Sequence, residues 1–259
     1  IVVNNRPWVY YDVSPKSKDV GAPLVLIHGT CGTAESFFYQ LVALSAKGYR
    51  VLSVQFPSYW DVSSWVKGFK GFLSSLGLDK IHLFGNSLGG FLAVHFLAAH
   101  PAMVASLVLC NAFVDTLPFH QNAGCLKMFR FLPEFYLKKY VLESLPQQTH
   151  DPATIDFVVE QLELLGGDDL GSRLTLNCLK SELRALHPEF NQKTVTLLDS
   201  NDDVVLPQEM RDRLYATFPH ARLGLLKTGD RFCVPVTASA GGDFPFLSVP
   251  DEVNMHLQV

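Results

Sequence analysis

The sequence has no apolar run that approaches the roughly 20 residues needed to cross a bilayer. It has no basic stripe: 21 Lys and Arg face 25 Asp and Glu, a formal charge of −4. Nucleic-acid binding needs clustered positive charge, so that class is disfavoured and no nucleic-acid partner is expected. Its five cysteines, Cys31, Cys110, Cys125, Cys178 and Cys233, are odd in number and scattered, with no CxxC pair. That pattern suits a reducing compartment and argues against both a disulfide framework and a zinc site. No G-x-G-x-x-G follows the first strand, which disfavours a dinucleotide binder. No cofactor and no metal is expected. No internal repeat or low-complexity tract occurs. Charged residues make up only 18%, and 48% are hydrophobic, which excludes a globally disordered chain.

Short runs rich in Val, Ile and Leu recur at 8–13, 24–28, 50–56, 80–84, 105–112, 195–199 and 221–227. Gly, Pro or Asp bound most of them, as expected of strands. Helical patterns fall between them at 34–47, 62–76, 88–100 and 207–218. Near-continuous apolar strands alternating with helices predict a mostly parallel sheet covered on both faces. The alternation breaks over 113–192, a mostly helical stretch interrupted by five prolines. It follows one strand and precedes another, so the expectation is a single domain over 1–259 with a helical cap, 113–192, inserted in it. Such an insertion would lie over the C-terminal edge of the strands, where α/β sheets bind ligands.

Gly85-Asn86-Ser87-Leu88-Gly89 fits G-x-S-x-G, with a strand before it and an apolar helix after it. This strand–turn–helix context is what a nucleophile elbow requires, and it makes Ser87 the candidate nucleophile. The alternative is a Gly-rich turn with an incidental serine. A second strand ends at His28-Gly29 and is followed by Thr30-Cys31-Gly32. The backbone N–H of Thr30 or Cys31, with that of Leu88, would form an oxyanion hole. His28 reads as a buried structural histidine rather than a catalytic one.

The acid of a triad should follow a later strand. Asp203, four residues before Pro207, is the best candidate; Asp202 is second and Asp115 a weaker third. The competing reading is that Asp202 and Asp203 only shape a solvated loop. The base should come shortly after the last strand, yet no histidine occurs from Gly229 to Phe246. Asp243 occupies the expected base position, and Asp230 offers the same residue type in an earlier glycine turn. Aspartate, with a reference pKa of about 3.9 against about 6.5 for histidine, is a poor acceptor of a serine proton. Loss of the histidine alone can cost on the order of 10⁶ in kcat in a serine hydrolase. His256, on the final helical segment, is the alternative base.

Gly48-Tyr49-Arg50-Val51 through Tyr59-Trp60-Asp61, Lys80 to Gly85 and Leu107 to Asn111 resemble the maspardin family of α/β-hydrolase-fold proteins. So do Ser172-Arg173-Leu174-Thr175-Leu176-Asn177-Cys178, Leu226 to Gly229 and Gly242 to Pro245. The resemblance runs over nearly the whole chain. It implies an α/β-hydrolase fold and a cytosolic protein that can associate peripherally with endosomal and Golgi-derived membranes. It further implies regulation of receptor signalling and trafficking through a protein partner, rather than an established enzyme activity, and a base position without histidine, so Asp243 agrees with it. One departure is Asp230 to Gly241, which reads as inserted between the halves of a glycine turn.

Two functions are therefore expected in competition. One is a non-catalytic protein that binds a partner or a small ligand under the cap; the other is an active serine esterase built on Ser87. Aromatic and basic residues at 126–132 and 135–139 could dock a membrane surface or peptide. Such a stripe is more often the cap's own packing face, with lysine stems lying along it.

Overall fold

A computed structural model describes residues 1–15, 21–122, 129–145, 152–181, 183, 185–186, 190, 194–200, 206–226 and 244–258. Two short strands, β1 (Val2–Val3) and β2 (Arg6–Pro7), make a hairpin that the sequence pattern did not announce. The main sheet contains β3 (Val9–Val13), β4 (Leu24–Ile27), β5 (Val51–Gln55), β6 (Ile81–Asn86), β7 (Val104–Cys110), β8 (Val195–Ser200) and β9 (Arg222–Leu226). Their spatial order is β3-β5-β4-β6-β7-β8-β9. Only the β3–β5 pairing is antiparallel; the other neighbours run parallel.

Ten helices are described: α1 (Phe38–Ala46), α2 (Val62–Ser75), α3 (Leu88–Ala99), α4 (Leu117–Asn122), α5 (Glu134–Ser144), α6 (Pro152–Glu163), α7 (Gly167–Cys178), α8 (Gln208–Thr217), α9 (Pro245–Ser248) and α10 (Pro250–His256). The period-2 geometry of a strand sends alternate side chains to opposite faces. In β4, Val25 and Ile27 enter one core, with Trp65 and Phe69 of α2, Phe91 of α3 and Leu214 of α8. Leu24 and Leu26 enter the other, with Leu41 of α1, Phe246 of α9 and Val253 of α10. With both faces covered, these strands must be apolar throughout, which is why they read as continuous runs rather than alternations.

Helices α4 to α7 follow β7 and precede β8 in the chain. They carry a third core of their own, including Leu137, Val141, Leu162, Leu170 and Leu174. Helix α5 divides the aromatic–basic stripe between two surfaces. Leu137 and Val141 are buried, whereas Phe135, Tyr136 and Tyr140 are exposed, as is Phe131 just before the helix. The Lys138 ammonium turns back to Glu134 and Glu163.

Candidate functional site

Strand β6 ends at Asn86 and α3 begins at Leu88, leaving Ser87 alone in the turn. Its φ is 50°, a left-handed conformation that costs a non-glycine residue on the order of 1–3 kcal/mol. The surroundings hold it there. The Ser87 N–H donates to the Cys110 carbonyl (3.0 Å), and its carbonyl accepts from Phe91 N–H (3.1 Å). A Cβ on Gly85 would lie 2.6 Å from the Gly90 nitrogen, and one on Gly89 would lie 2.4 Å from the Ile27 oxygen. Only bare backbone lets the strand, turn and helix approach so closely. Leu88 opens α3, so its N–H has no acceptor one turn back, and the helix dipole places partial positive charge there.

The turn after β4 faces this elbow. A Cβ built on Gly29 would meet the Ser87 Cβ at 3.3 Å. His28 is fully buried, with its ring stacked on Phe56 at a centroid distance of 4.7 Å. Its Nδ1 lies 2.7 Å from the Gly29 oxygen. A carbonyl only accepts, which places the proton on Nδ1 and a lone pair on Nε2. Burial first, and the Arg173 charge second, hold the imidazole well below its usual pKa. The Gly29 carbonyl also accepts from Gly32 N–H at 3.3 Å. In a trans peptide the C=O and N–H point in opposite directions. Pinning the Gly29 carbonyl therefore aims the Thr30 N–H the other way.

Helix α7 grips the same turn from the far side. Arg173 Nη1 donates to the carbonyls of Thr30 (3.0 Å) and Gly32 (2.8 Å). Asn177 Nδ2 donates to Thr30 Oγ1 at 2.7 Å. By the same peptide rule the Arg173 bond sets the direction of the Cys31 N–H. Helix α6 adds Gln161, whose Oε1 accepts from Thr33 Oγ1 (2.5 Å). A narrow cavity lies between the turn, α6 and α9, lined by Gly29, Gly32, Asn86, Gln161 and Phe246. Sequence reasoning passed over Arg173 and Asn177 as partners of the turn. Within α7 they are two of several polar residues, alongside Asp168, Asp169, Ser172 and Thr175, so apart from the family resemblance of 172–178 nothing local marked them.

The structure does not bring His256 to Ser87. Its ring packs over Gly224, where a Cβ would meet the His256 Cε1 at 2.9 Å. Gly224 lies in register with Leu198, Cys110 and Asn86 across β9, β8, β7 and β6. Three interstrand steps of about 4.8 Å separate it laterally from the elbow by roughly 14 Å. Asp115 is engaged elsewhere: Oδ1 accepts from Leu117 N–H (2.7 Å) at the start of α4, and Oδ2 pairs with Arg213. Asp202, Asp203, Asp230 and Asp243 lie outside the described residues. At the end of β8, Asp199 Oδ2 accepts from the Tyr215 hydroxyl (2.5 Å) and sits 3.6 Å from Arg211 Nε. Among the described side chains, no imidazole or carboxylate hydrogen-bonds the Ser87 hydroxyl.

A covered parallel sheet with a strained serine between β6 and α3 defines a class, and comparison agrees: the model of the alpha/beta hydrolase family matches residues 24–255, and the chain belongs to that family. Within it, the chain groups with the maspardins. It is 41% identical to maspardin of Danio rerio, over 99% of this chain and 78% of that protein. Against maspardin of Homo sapiens the identity is 40%, covering 99% and 79%. Among solved structures, the enol-lactonase from Burkholderia xenovorans LB400 superposes with a TM-score of 0.77 at 16% identity, covering 98% of this chain and 96% of that one. A thermophilic esterase from Thermogutta terrifontis gives 0.74 at 18%, covering 97% and 91%. At such identities these two likenesses speak for the fold alone.

Proposed function

We propose that this chain is a non-catalytic member of its family, a cytosolic binding or regulatory protein acting in endosomal trafficking or receptor signalling. Ser87, Asp203 and Asp243 stand at the nucleophile, acid and base positions, and Thr30, Cys31 and Leu88 supply the oxyanion-hole backbone. Residues 113–192 act as the cap, and the ligand or partner segment sits beneath it. The exposed Phe131, Phe135, Tyr136 and Tyr140 supply a surface for a protein partner or for peripheral contact with an endosomal membrane.

One observation carries this reading. The stretch after β9 offers aspartate and no histidine, and the next histidine, His256, packs against Gly224 three strands from the elbow's strand. Without an acceptor of suitable basicity the Ser87 proton has nowhere to go near neutral pH. The resemblance to the maspardin family implies the same reading. A second reading, an active carboxylesterase-type hydrolase using Ser87, is favoured by the retained strain at Ser87 (φ 50°), because such strain persists mainly where function holds it.

Labelling by a fluorophosphonate probe, alongside turnover of a p-nitrophenyl ester, separates the two. The expected outcome is negligible turnover and labelling no stronger than that of Ser87→Ala. Robust labelling that depends on Ser87, with saturable ester cleavage, would establish the hydrolase reading instead.

A further inference from the structure

Arg173 is 1% exposed, and burial lowers its guanidinium only to about 10, so it remains a cation at neutral pH. Nη1 serves the Thr30 and Gly32 carbonyls. Nε and Nη2 are buried and have no hydrogen-bond partner. These two N–H groups lie parallel along one edge of the planar guanidinium, the edge that grips a carboxylate through two bonds at once. Among the described residues no carboxylate forms an ion pair with this group. The acid that acts on it electrostatically, Asp169 one turn earlier on α7, accepts from the Ser58 hydroxyl at 3.0 Å. Its Cζ lies 5.2 Å from the centroid of the Phe56 ring, but its hydrogen bonds go only to carbonyls, an incomplete arrangement because desolvated charge is costly unless it is paired.

Asn177 lies one turn further along α7. Its Nδ2 is bound to Thr30 Oγ1, and its Oδ1 is buried without a donor. This oxygen can accept a hydrogen bond but repels a second negative group. Thr30 and Asn177 are themselves only half-buried.

We propose that the Nε–Nη2 edge of Arg173 is a receptor for a small organic monocarboxylate, held between α7 and the 28–32 turn beside Asn177. The planar fork selects a carboxylate over a spherical anion, and the Asn177 oxygen selects one negative group over two. The site goes beyond the function proposed above: it lies on the α7 face of the turn, and binding there needs neither a nucleophile nor a base. Occupancy would also tie the ligand to the peptides that Arg173 orients.

The test is calorimetric titration of the purified chain with sodium acetate, with sodium chloride at matched ionic strength and inorganic phosphate in parallel. Saturable acetate binding with a Kd on the order of 1 mM is expected, and none with chloride. Arg173→Lys keeps the charge but loses the fork, so acetate binding should weaken roughly tenfold. Chloride binding as well as acetate, phosphate binding more tightly than acetate, or an unchanged acetate Kd in the lysine variant would each overturn the proposal. If that variant fails to fold, the wild-type protein decides: crystals soaked in acetate should show a two-bond carboxylate on the Nε–Nη2 edge, and water alone there would overturn it. Neither readout depends on whether Ser87 reacts.

Discussion

At the scale of single residues, the elbow is a problem of space. Gly89 sits where any side chain would strike the Ile27 and His28 carbonyl oxygens, at 2.4 and 2.5 Å. Those atoms are backbone of the last residue of β4 and the residue that follows it, so they cannot swing aside as a side-chain tip could. Gly89→Ala is therefore expected to destabilise the protein by about 3 kcal/mol, the upper range for overpacking a tight core. Urea unfolding measures this, and a loss below the error of the fit would mean that α3 can shift away from β4 freely. The glycines of G-x-S-x-G were legible in the sequence as a pattern; the carbonyls that exclude a Cβ were not, because they come from a strand some sixty residues earlier in the chain. Arg173 is the converse case. Nothing in its local sequence distinguishes a surface arginine from one whose Nη1 binds two carbonyls 143 and 141 residues away.

At the scale of elements, α2 shows how a local signal and a tertiary contact divide the work. Asp61 caps the helix, its Oδ1 accepting from Ser64 N–H at 2.8 Å and from the Ser63 hydroxyl at 2.7 Å. Trp65, Phe69 and Phe72 then recur at helical spacing and form the buried face against the sheet. Both features are readable from sequence. Asp61→Ala should cost about 1 kcal/mol, the usual value of an N-cap, with no change in the fold; a urea midpoint equal to wild type would show that Ser63 or water replaces the cap. Helix α7 was legible only as a helical segment. That its polar pair faces the 28–32 turn follows from how α4 to α7 fold back, which a periodicity cannot specify. The strand boundaries moved by a residue or two, and helix 34–47 divides into a short 3₁₀ turn, Ala34–Phe37, followed by α1. The turn begins at Thr33, whose hydroxyl accepts from Glu35 N–H at 3.1 Å.

At the scale of the whole molecule, folding buries imidazoles and keeps them neutral. His95, on α3, is 9% exposed and burial lowers it to about 4. His28 is lowered well below its usual value by burial and by Arg173. The unfolded chain titrates near 6.5, so between that value and the folded one the unfolded state binds more protons. Stability is then fully present above about pH 6.5 and declines as pH falls towards 4, with His95 alone accounting for up to roughly 3 kcal/mol. Thermal midpoints measured from pH 7 to pH 4 should fall steadily, and His95→Gln should flatten part of that slope. A midpoint that stays level across the range would mean that the two imidazoles become protonated without leaving their sites.

The sequence by itself determined the alternation of apolar strands and helices, the serine turn with its flanking glycines, and the absence of histidine from Gly229 to Phe246. Each is local: pleat, helical turn and steric exclusion act over a few neighbouring residues, and their periods are written directly in the order of side chains. The tertiary structure alone decided which distant groups meet. It placed the Arg173 guanidinium against the turn after β4, and it set His256 over Gly224 at the sheet edge rather than beside Ser87. Those pairings depend on the order in which parallel strands lie side by side and on how the helices between β7 and β8 return across them. Chain crossovers of that length leave no imprint on the spacing of neighbouring residues.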